Sequence, residues 1–327
     1  VGTRRILKAE IDVGNRLWKP DETAATIVGN IHAMQSAIDE VYNADFLTVD
    51  SLLSIHRKLC ESTPIEKLGG AVRDQQNWVG GNSYNPLEAS YVPPAPEHVP
   101  ELLADLATFL NRSDVAPVVK AALAHAQFES IHPFIDGNGR TGRALIYSSL
   151  KRDGAIGEAV PPISLIMATH SDSYVQALDG FRAEGADMAT ALNEWVSYFS
   201  GAVADACDEA LLFEKQMEAM RQNWLGAIGK PRNGSALDLL LERMVGMPLF
   251  TPKMASEAIG RSSVATNAAL DALASAGIIK EVSAKQRNRV YEVPDVIEAF
   301  NIYERKLASP VGNTAAEPPS RPVPAKL

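Results

Sequence analysis

Twelve consecutive residues, His132-Pro133-Phe134-Ile135-Asp136-Gly137-Asn138-Gly139-Arg140-Thr141-Gly142-Arg143, bring together an imidazole, a carboxylate, two guanidiniums and three glycines. These residue types suit phosphate chemistry. His132 is the one group among them that takes a proton near neutral pH. Asp136 is a hard oxygen ligand of the kind that magnesium on a nucleotide requires. Glycine in the loop permits φ > 0 and lets a ligand approach the backbone. Arg140 and Arg143 fall in the first turns of a helix whose leading N–H groups form an anion site.

The elements that must position these groups can be read from their surroundings. Residues 118–131 carry a helical pattern up to the stretch. Pro133 disfavours the α region at His132, so that helix ends there. A second helix starts near Asn138 and carries Ala144-Leu145-Ile146-Tyr147. Residues 137–142 match G-x-G-x-x-G, but no strand pattern precedes them, which argues against a dinucleotide fold. A Walker A loop fails because Arg143-Ala144 stands where Lys-Ser/Thr is needed. Glu129-Ser130-Ile131-His132 is an E-x-x-H without the second copy that a di-iron bundle requires. A plain helix–helix turn explains Asp-Gly and Asn-Gly but leaves the His, the Asp and both Arg without a reason.

The run His-Pro-Phe-x-Asp-Gly-Asn-Gly-Arg-x-x-Arg resembles the Fic family signature at every position. Gly70-Ala71-Val72-Arg73-Asp74-Gln75-Gln76-Asn77-Trp78-Val79-Gly80-Gly81 is similar to the segment leading into that family's β-hairpin flap. Tyr91-Val92-Pro93-Pro94 and Ala124-His125-Ala126-Gln127-Phe128-Glu129 share the likeness, which spans roughly residues 20–225. The resemblance implies a mainly α fold, a helical Fic core with a β-hairpin flap. It also implies transfer of AMP from ATP to a Tyr, Thr or Ser hydroxyl of a target protein, with pyrophosphate leaving. His132 would then deprotonate the hydroxyl and Asp136 would hold Mg²⁺. Gly137, Asn138, Gly139, Arg140, Gly142 and Arg143 would bind the nucleotide. Asn77, Trp78, Val79 and Gly80 would dock the target as an added strand. Gly139 favours AMP transfer over the family's kinase-like branch, where Lys commonly stands. Phosphotransfer and removal of AMP by the same site are the enzymatic alternatives, and a DNA-binding regulator whose Fic core is only a sensor or scaffold is the alternative of another class.

Composition sets the bounds. The 327 residues allow two domains, a hydrophobic fraction of 46% supports a core, and the net charge of −9 argues against a general nucleic-acid or membrane-surface binder. The two cysteines, Cys60 and Cys207, imply a reduced compartment and read as buried apolar residues. No apolar run approaches membrane-spanning length and no signal peptide is evident, so a cytoplasmic location and no membrane partner are expected. The chain opens on Val1, and its natural start is expected upstream.

Three regions follow: 1–229 as the catalytic domain, 230–306 as a winged-helix-like domain, and 307–327 as a disordered tail. In the Fic family an inhibitory Ser/Thr-x-x-x-Glu-Gly/Asn helix often precedes the core, its Glu pairing with the last signature arginine. By distance from the signature, Val1-Gly2 fall near its Glu-Gly with Val in place of Glu, and the internal Glu184-Gly185 has Gly180 where Ser or Thr is needed, so the segment is expected to be cut off, altered or absent. Residues 22–42 and 49–60 read as helices capped by Asp21 and Thr48. His32 and His56 read as packing or surface residues. Residues 69–96 read as a hairpin or long loop around Gly80-Gly81-Asn82. Residues 97–112, 115–131, 163–183, 187–209 and 208–226 read as helices. His125 and Phe134 are expected in the core, and Tyr174 is a core residue or lines an adenine pocket.

After a linker at 229–234 come helices 235–245, 252–259 and 263–276, then strands 278–283 and 289–293. This order is similar to a winged helix-turn-helix. Residues 263–277 contain no Lys or Arg, and residues 232–305 hold nine basic and nine acidic residues. Only Lys285-Gln286-Arg287-Asn288-Arg289 is basic. DNA binding by residues 235–293 therefore ranks below docking of a protein partner or of a second subunit in a homodimer.

Overall fold

The computed structural model of the chain describes residues 2–12, 18, 21–61, 63–82, 84–157, 159–183, 185, 187–282 and 289–309. Thirteen α-helices account for most of the described residues. They are α1 (Thr3–Asp12), α2 (Glu22–Tyr42), α3 (Val49–Cys60), α4 (Val99–Leu110), α5 (Pro117–Ile131), α6 (Asn138–Arg152) and α7 (Ile163–Thr169), then α8 (Ser171–Arg182), α9 (Met188–Ile228), α10 (Ala236–Arg243), α11 (Pro252–Ile259), α12 (Ser263–Ser275) and α13 (Pro294–Leu307). Three two-residue strands, β1 (Leu249–Phe250), β2 (Lys280–Glu281) and β3 (Tyr291–Glu292), form one antiparallel sheet in the order β1-β3-β2. The chain packs as two compact units, Gly29–Cys207 and a second made of Val1–Val28 with Asp208–Leu327.

The unit 29–207 carries the signature. Thr48 caps α3 by accepting from the Ser51 N–H, while the Ser51 hydroxyl accepts from the Thr48 N–H. Pro100 and Pro117 lie in the first turns of α4 and α5, where their missing N–H groups cost nothing. Leu52, Ile55 and Leu59 of α3 meet Leu103, Leu106 and Leu110 of α4. Ala124, Phe128 and Ile131 of α5 and Ala144 and Leu145 of α6 complete this core. Each such side chain is worth about 1.5–3 kcal/mol when fully buried. At the far end of the α5–α6 pair from the signature, buried Lys120 lies 2.8 Å from Asp153. The indole Nε1–H of Trp195 donates to the Ala122 carbonyl at 2.8 Å, tying α9 to α5.

In the second unit, α1 joins the C-terminal elements. Leu7 and Ile11, four apart on one helix face, pack with Leu249 and Val290, and Arg4 reaches Glu292 at 3.0 Å. The sequence reading placed no element there. Ser235, Thr251 and Ser262 cap α10, α11 and α12 through side-chain oxygens, as the helix starts at Thr251 and Ser262 require.

Several expected elements differ. The two helices read at 187–209 and 208–226 are one helix of 41 residues, α9, because no Pro and no run of Gly interrupts the chain between them. The helix read at 163–183 is broken at His170 into α7 and α8. Strands 278–283 and 289–293 shrink to Lys280–Glu281 and Tyr291–Glu292, and β1 is additional. Among the described residues the hairpin of residues 69–96 narrows to one antiparallel bridge, Val79 with Tyr91. Gly80 and Gly81 at φ of 75° and 68° turn the chain out of the extended conformation, and short 3-10 turns stand at Pro86–Glu88 and Pro96–His98. The expected inhibitory position at Val1, Glu184, the basic run 285–288 and the tail beyond 309 lie outside the described residues.

Candidate active site

Helix α5 ends where Pro133 demands. His132 adopts the left-handed conformation at φ 46°, the one such non-glycine among the described residues, at a cost of about 1–3 kcal/mol that its surroundings must offset. Arg73 supplies much of the offset. Its buried guanidinium donates to the carbonyls of His132 (Nε, 3.0 Å), Pro94 (2.5 Å), Gln75 (3.3 Å) and Ile131 (3.4 Å). Its backbone N–H donates to the Pro133 carbonyl at 2.9 Å.

The ring of His132 is held from one side. Nδ1 lies 3.0 Å from Asn77 Nδ2 and 3.2 Å from Asn138 Nδ2. Burial, reinforced by Arg182 and Arg73, lowers its pKa to about 4. The ring is therefore neutral at pH 7, as a base must be.

The loop that follows is pinned from α3. His56 is buried and stacks on Phe134 with ring centroids 3.7 Å apart and planes 9° off parallel. Its Nδ1 accepts from the Gly70 N–H at 3.0 Å, so Nε2 carries the proton and donates to the Asp136 carbonyl at 2.9 Å. Gly137 sits at φ 85°, and a Cβ there would lie 2.9 Å from His56 Nε2. A side chain is thus excluded on two grounds. Phe134 is fully buried, as expected of a loop anchor.

Asp136 is exposed, with Oδ1 accepting from the Gly137 N–H at 2.5 Å. Among the described residues no group of three or more His, Cys, Asp or Glu side chains could hold a metal ion. No side chain caps the N-terminus of α6, which leaves the opening turn facing the loop. Arg143 is exposed. Arg140 is half-buried and donates from Nη1 to the Leu59 carbonyl at 3.0 Å.

Two of the residues expected to hold nucleotide have side-chain or packing duties. The buried Asn138 amide accepts from the Phe134 N–H at 2.9 Å and donates to the Phe134 carbonyl at 2.7 Å. Buried Gly142 lets α6 approach α5: an added Cβ would collide with Glu129 Oε1 and come within 3.2 Å of His125 Cε1. Burial lifts the Glu129 carboxyl to about pH 7 against the pull of Arg182 and Arg143. His125 is a core histidine, paired with the Gly142 carbonyl at 3.2 Å and the Tyr174 hydroxyl at 3.1 Å, and burial lowers its pKa to about 4. Tyr174 therefore serves the core through His125.

Asn77, Trp78 and Gly80 line a cleft of about 490 Å³ with Gln75, Gln76, Gly81, Asn82 and Ile135. Val79 carries the bridge to Tyr91, donating at 2.9 Å and accepting at 3.3 Å. Arg182 of α8 stacks 3.8 Å over the Tyr91 ring and donates to the Glu129 carbonyl at 2.7 Å. The sequence reading missed His56, Arg73, Arg182 and Glu129 as parts of the site. Arg73 and Glu129 lay inside quoted motifs, but their partners are 58 or 59 residues away or across a helix pair.

With this geometry established, the likeness to known proteins takes a definite form. The Fic/DOC family model matches residues 46–150. The chain is 36% identical over 132 residues to the protein adenylyltransferase fic-1 of Caenorhabditis briggsae, covering 39% of this chain and 23% of that protein. It is 38% identical over 138 residues to the protein adenylyltransferase Fic of Aedes aegypti, covering 41% and 24%. The matched part thus spans about a quarter of the length of these relatives. A Fic family protein from Desulfovibrio desulfuricans G20 shares the fold at a TM-score of 0.50 and 20% identity, over 88% of this chain and 85% of that one. Signature, scaffold and likeness converge on one stretch: residues 46–150 match the Fic/DOC family model and carry the site described above.

Proposed function

We propose that the chain transfers AMP from ATP to a hydroxyl group of a protein. The observation that carries this reading is the His132 corner. There the helix end, the buried Arg73 and two amides hold a neutral imidazole beside an uncapped helix N-terminus with an exposed arginine in its second turn. His132 takes the proton of the acceptor hydroxyl, a contribution of roughly 10²- to 10⁴-fold. The oxygen then attacks the α-phosphorus of ATP and the bond to pyrophosphate breaks. Backbone N–H groups at the start of α6 stabilise the charge that develops on the phosphate. Arg143 binds the outer phosphates, and Arg140, anchored to α3, adds its positive charge.

A single exposed carboxylate suits Mg²⁺, which keeps several waters and binds through one or two carboxylates plus substrate phosphates. Asp136 would hold it, and the ion would neutralise phosphate charge. The cleft beside Trp78 and Ile135 supports docking of a target segment on the flap. Residues 230–306 are read as winged-helix-like on the strength of α10–α12 with a small sheet whose strand β1 lies between α10 and α11 and whose other strands follow α12. Their exposed surface on α12 lacks basic residues, which favours a protein partner or a second copy over DNA. Incubation with ATP labelled separately at the α and γ phosphates tests the reaction. Covalent α label with free pyrophosphate supports AMP transfer, and γ label on protein replaces it with phosphotransfer.

A further inference from the structure

The amide of Asn77 faces more acceptors than it has hydrogens. Its Nδ2 lies 3.0 Å from His132 Nδ1, 2.9 Å from the Phe134 carbonyl and 3.3 Å from the His132 carbonyl. Its Oδ1 is buried without a hydrogen-bond partner. The neighbouring Asn138 amide has no such freedom, because its Oδ1 accepts from the Phe134 N–H at 2.9 Å and so directs Nδ2 towards His132. An amide NH₂ group only donates. His132 Nδ1 therefore presents a lone pair to both, and the neutral ring carries its proton on Nε2. A base that works through Nε2 requires the opposite tautomer.

We propose that Asn77 is a positioning residue that selects the His132 tautomer, and that turning its amide puts Oδ1 against Nδ1–H and so frees the Nε2 lone pair for the reaction. The proposal rests on the reading of His132 as the base. The turn brings Oδ1 towards the Phe134 and His132 carbonyl oxygens, a repulsion that the new bond from Nδ1–H must offset, but neither carbonyl loses its last donor. The Phe134 carbonyl keeps Asn138 Nδ2 at 2.7 Å, and the His132 carbonyl keeps Arg73 Nε at 3.0 Å. Asn138 Nδ2 stays with Phe134, at the longer of the two distances from Nδ1. One buried amide atom lacks a partner in either orientation, so no new orphan is created. The charged groups that bear on the ring are Arg182 and Arg73. Both are donors, so Asn77 Oδ1 is left to accept from Nδ1–H. In proton terms, one proton leaves Nε2 to water and one arrives at Nδ1 from water, with no change in charge.

Long-range proton–nitrogen correlation spectra of the whole chain, labelled with ¹⁵N-histidine, distinguish the two tautomers; the signals lost in His132→Asn identify the ring. The wild type at pH 7 is expected as Nε2–H. Asn77→Asp, whose carboxylate only accepts, is expected as Nδ1–H, with the acid limb of α-label incorporation moved to higher pH. Asn77→Leu leaves Nδ1 with Asn138 alone, so it is expected to remain Nε2–H and to lose at least tenfold in kcat. A wild-type ring already in the Nδ1–H form, or one tautomer common to all three chains, overturns the proposal, and the wild-type spectrum can do so by itself. Tautomers that move as stated in chains that never incorporate α label would leave this assignment standing and sink the AMP-transfer reading instead.

Discussion

Glu129 gives a stability prediction whose sign and size both follow from its place. Its carboxyl lies against Gly142 where α5 and α6 meet. Burial raises its pKa from an ordinary 4.5 to about 7, although Arg182 and Arg143 pull the other way. The folded chain thus keeps a proton that the unfolded chain gives up between these two values. Stability from this group is fully present below about pH 4.5 and is lost as pH rises through about 7. At about 1.4 kcal/mol per pH unit of displacement, the full penalty is about 3 kcal/mol, and about 2.5 kcal/mol of it develops between about pH 5 and 8. Glu129→Gln keeps the shape and removes the titration. Urea unfolding of both chains, followed by circular dichroism at pH 5 and pH 8, should show the variant gaining about 2 kcal/mol on the wild type across that interval. An equal difference at both pH values would mean that Glu129 titrates as an ordinary carboxylate, and the argument from burial would fail.

Other outcomes follow from the same geometry. Asp136→Ala should lose most α-label incorporation together with its response to Mg²⁺; normal Mg²⁺ stimulation would return Asp136 to a turn role. Arg73→Met removes two strong charge-assisted hydrogen bonds to the His132 and Pro94 carbonyls and should cost roughly 3–5 kcal/mol in denaturant unfolding, whereas a loss within about 0.5 kcal/mol would show that His132 holds its conformation unaided. Gly142→Ala should lower the melting temperature and open the α5–α6 contact, because the new methyl meets Glu129 and His125; a crystal structure with both side chains unmoved would contradict this.

The chemistry of the signature is legible in sequence because its parts are local. Pro133 ends α5, Gly137 turns the loop into α6, and the capping residues Thr48, Thr251 and Ser262 mark helix starts at close range. The supports of the site are not local. His56 reaches Asp136 across 80 positions, Arg73 reaches His132 across 59, and Asn77 reaches it across 55. A lone His on an amphipathic helix or an Arg ahead of a Gly-rich loop carries no sign of such a partner. Helix α1 was missed for the same reason: Leu7 and Ile11 become a core face only against Leu249 and Val290. The turn residues of the flap predict a hairpin, but Gly80, Gly81 and the two prolines at 86 and 96 leave a single bridge among the described residues.

The central claim is that His132 takes the acceptor proton in AMP transfer. The most direct measurement is single-turnover incorporation of α-labelled ATP into protein, at saturating nucleotide, by the wild type and by His132→Ala. The account predicts covalent label in the wild type and a loss of roughly 10²-fold or more in the variant, with nucleotide affinity kept because the imidazole acts on the hydroxyl. Incorporation at an equal rate by both chains would contradict it.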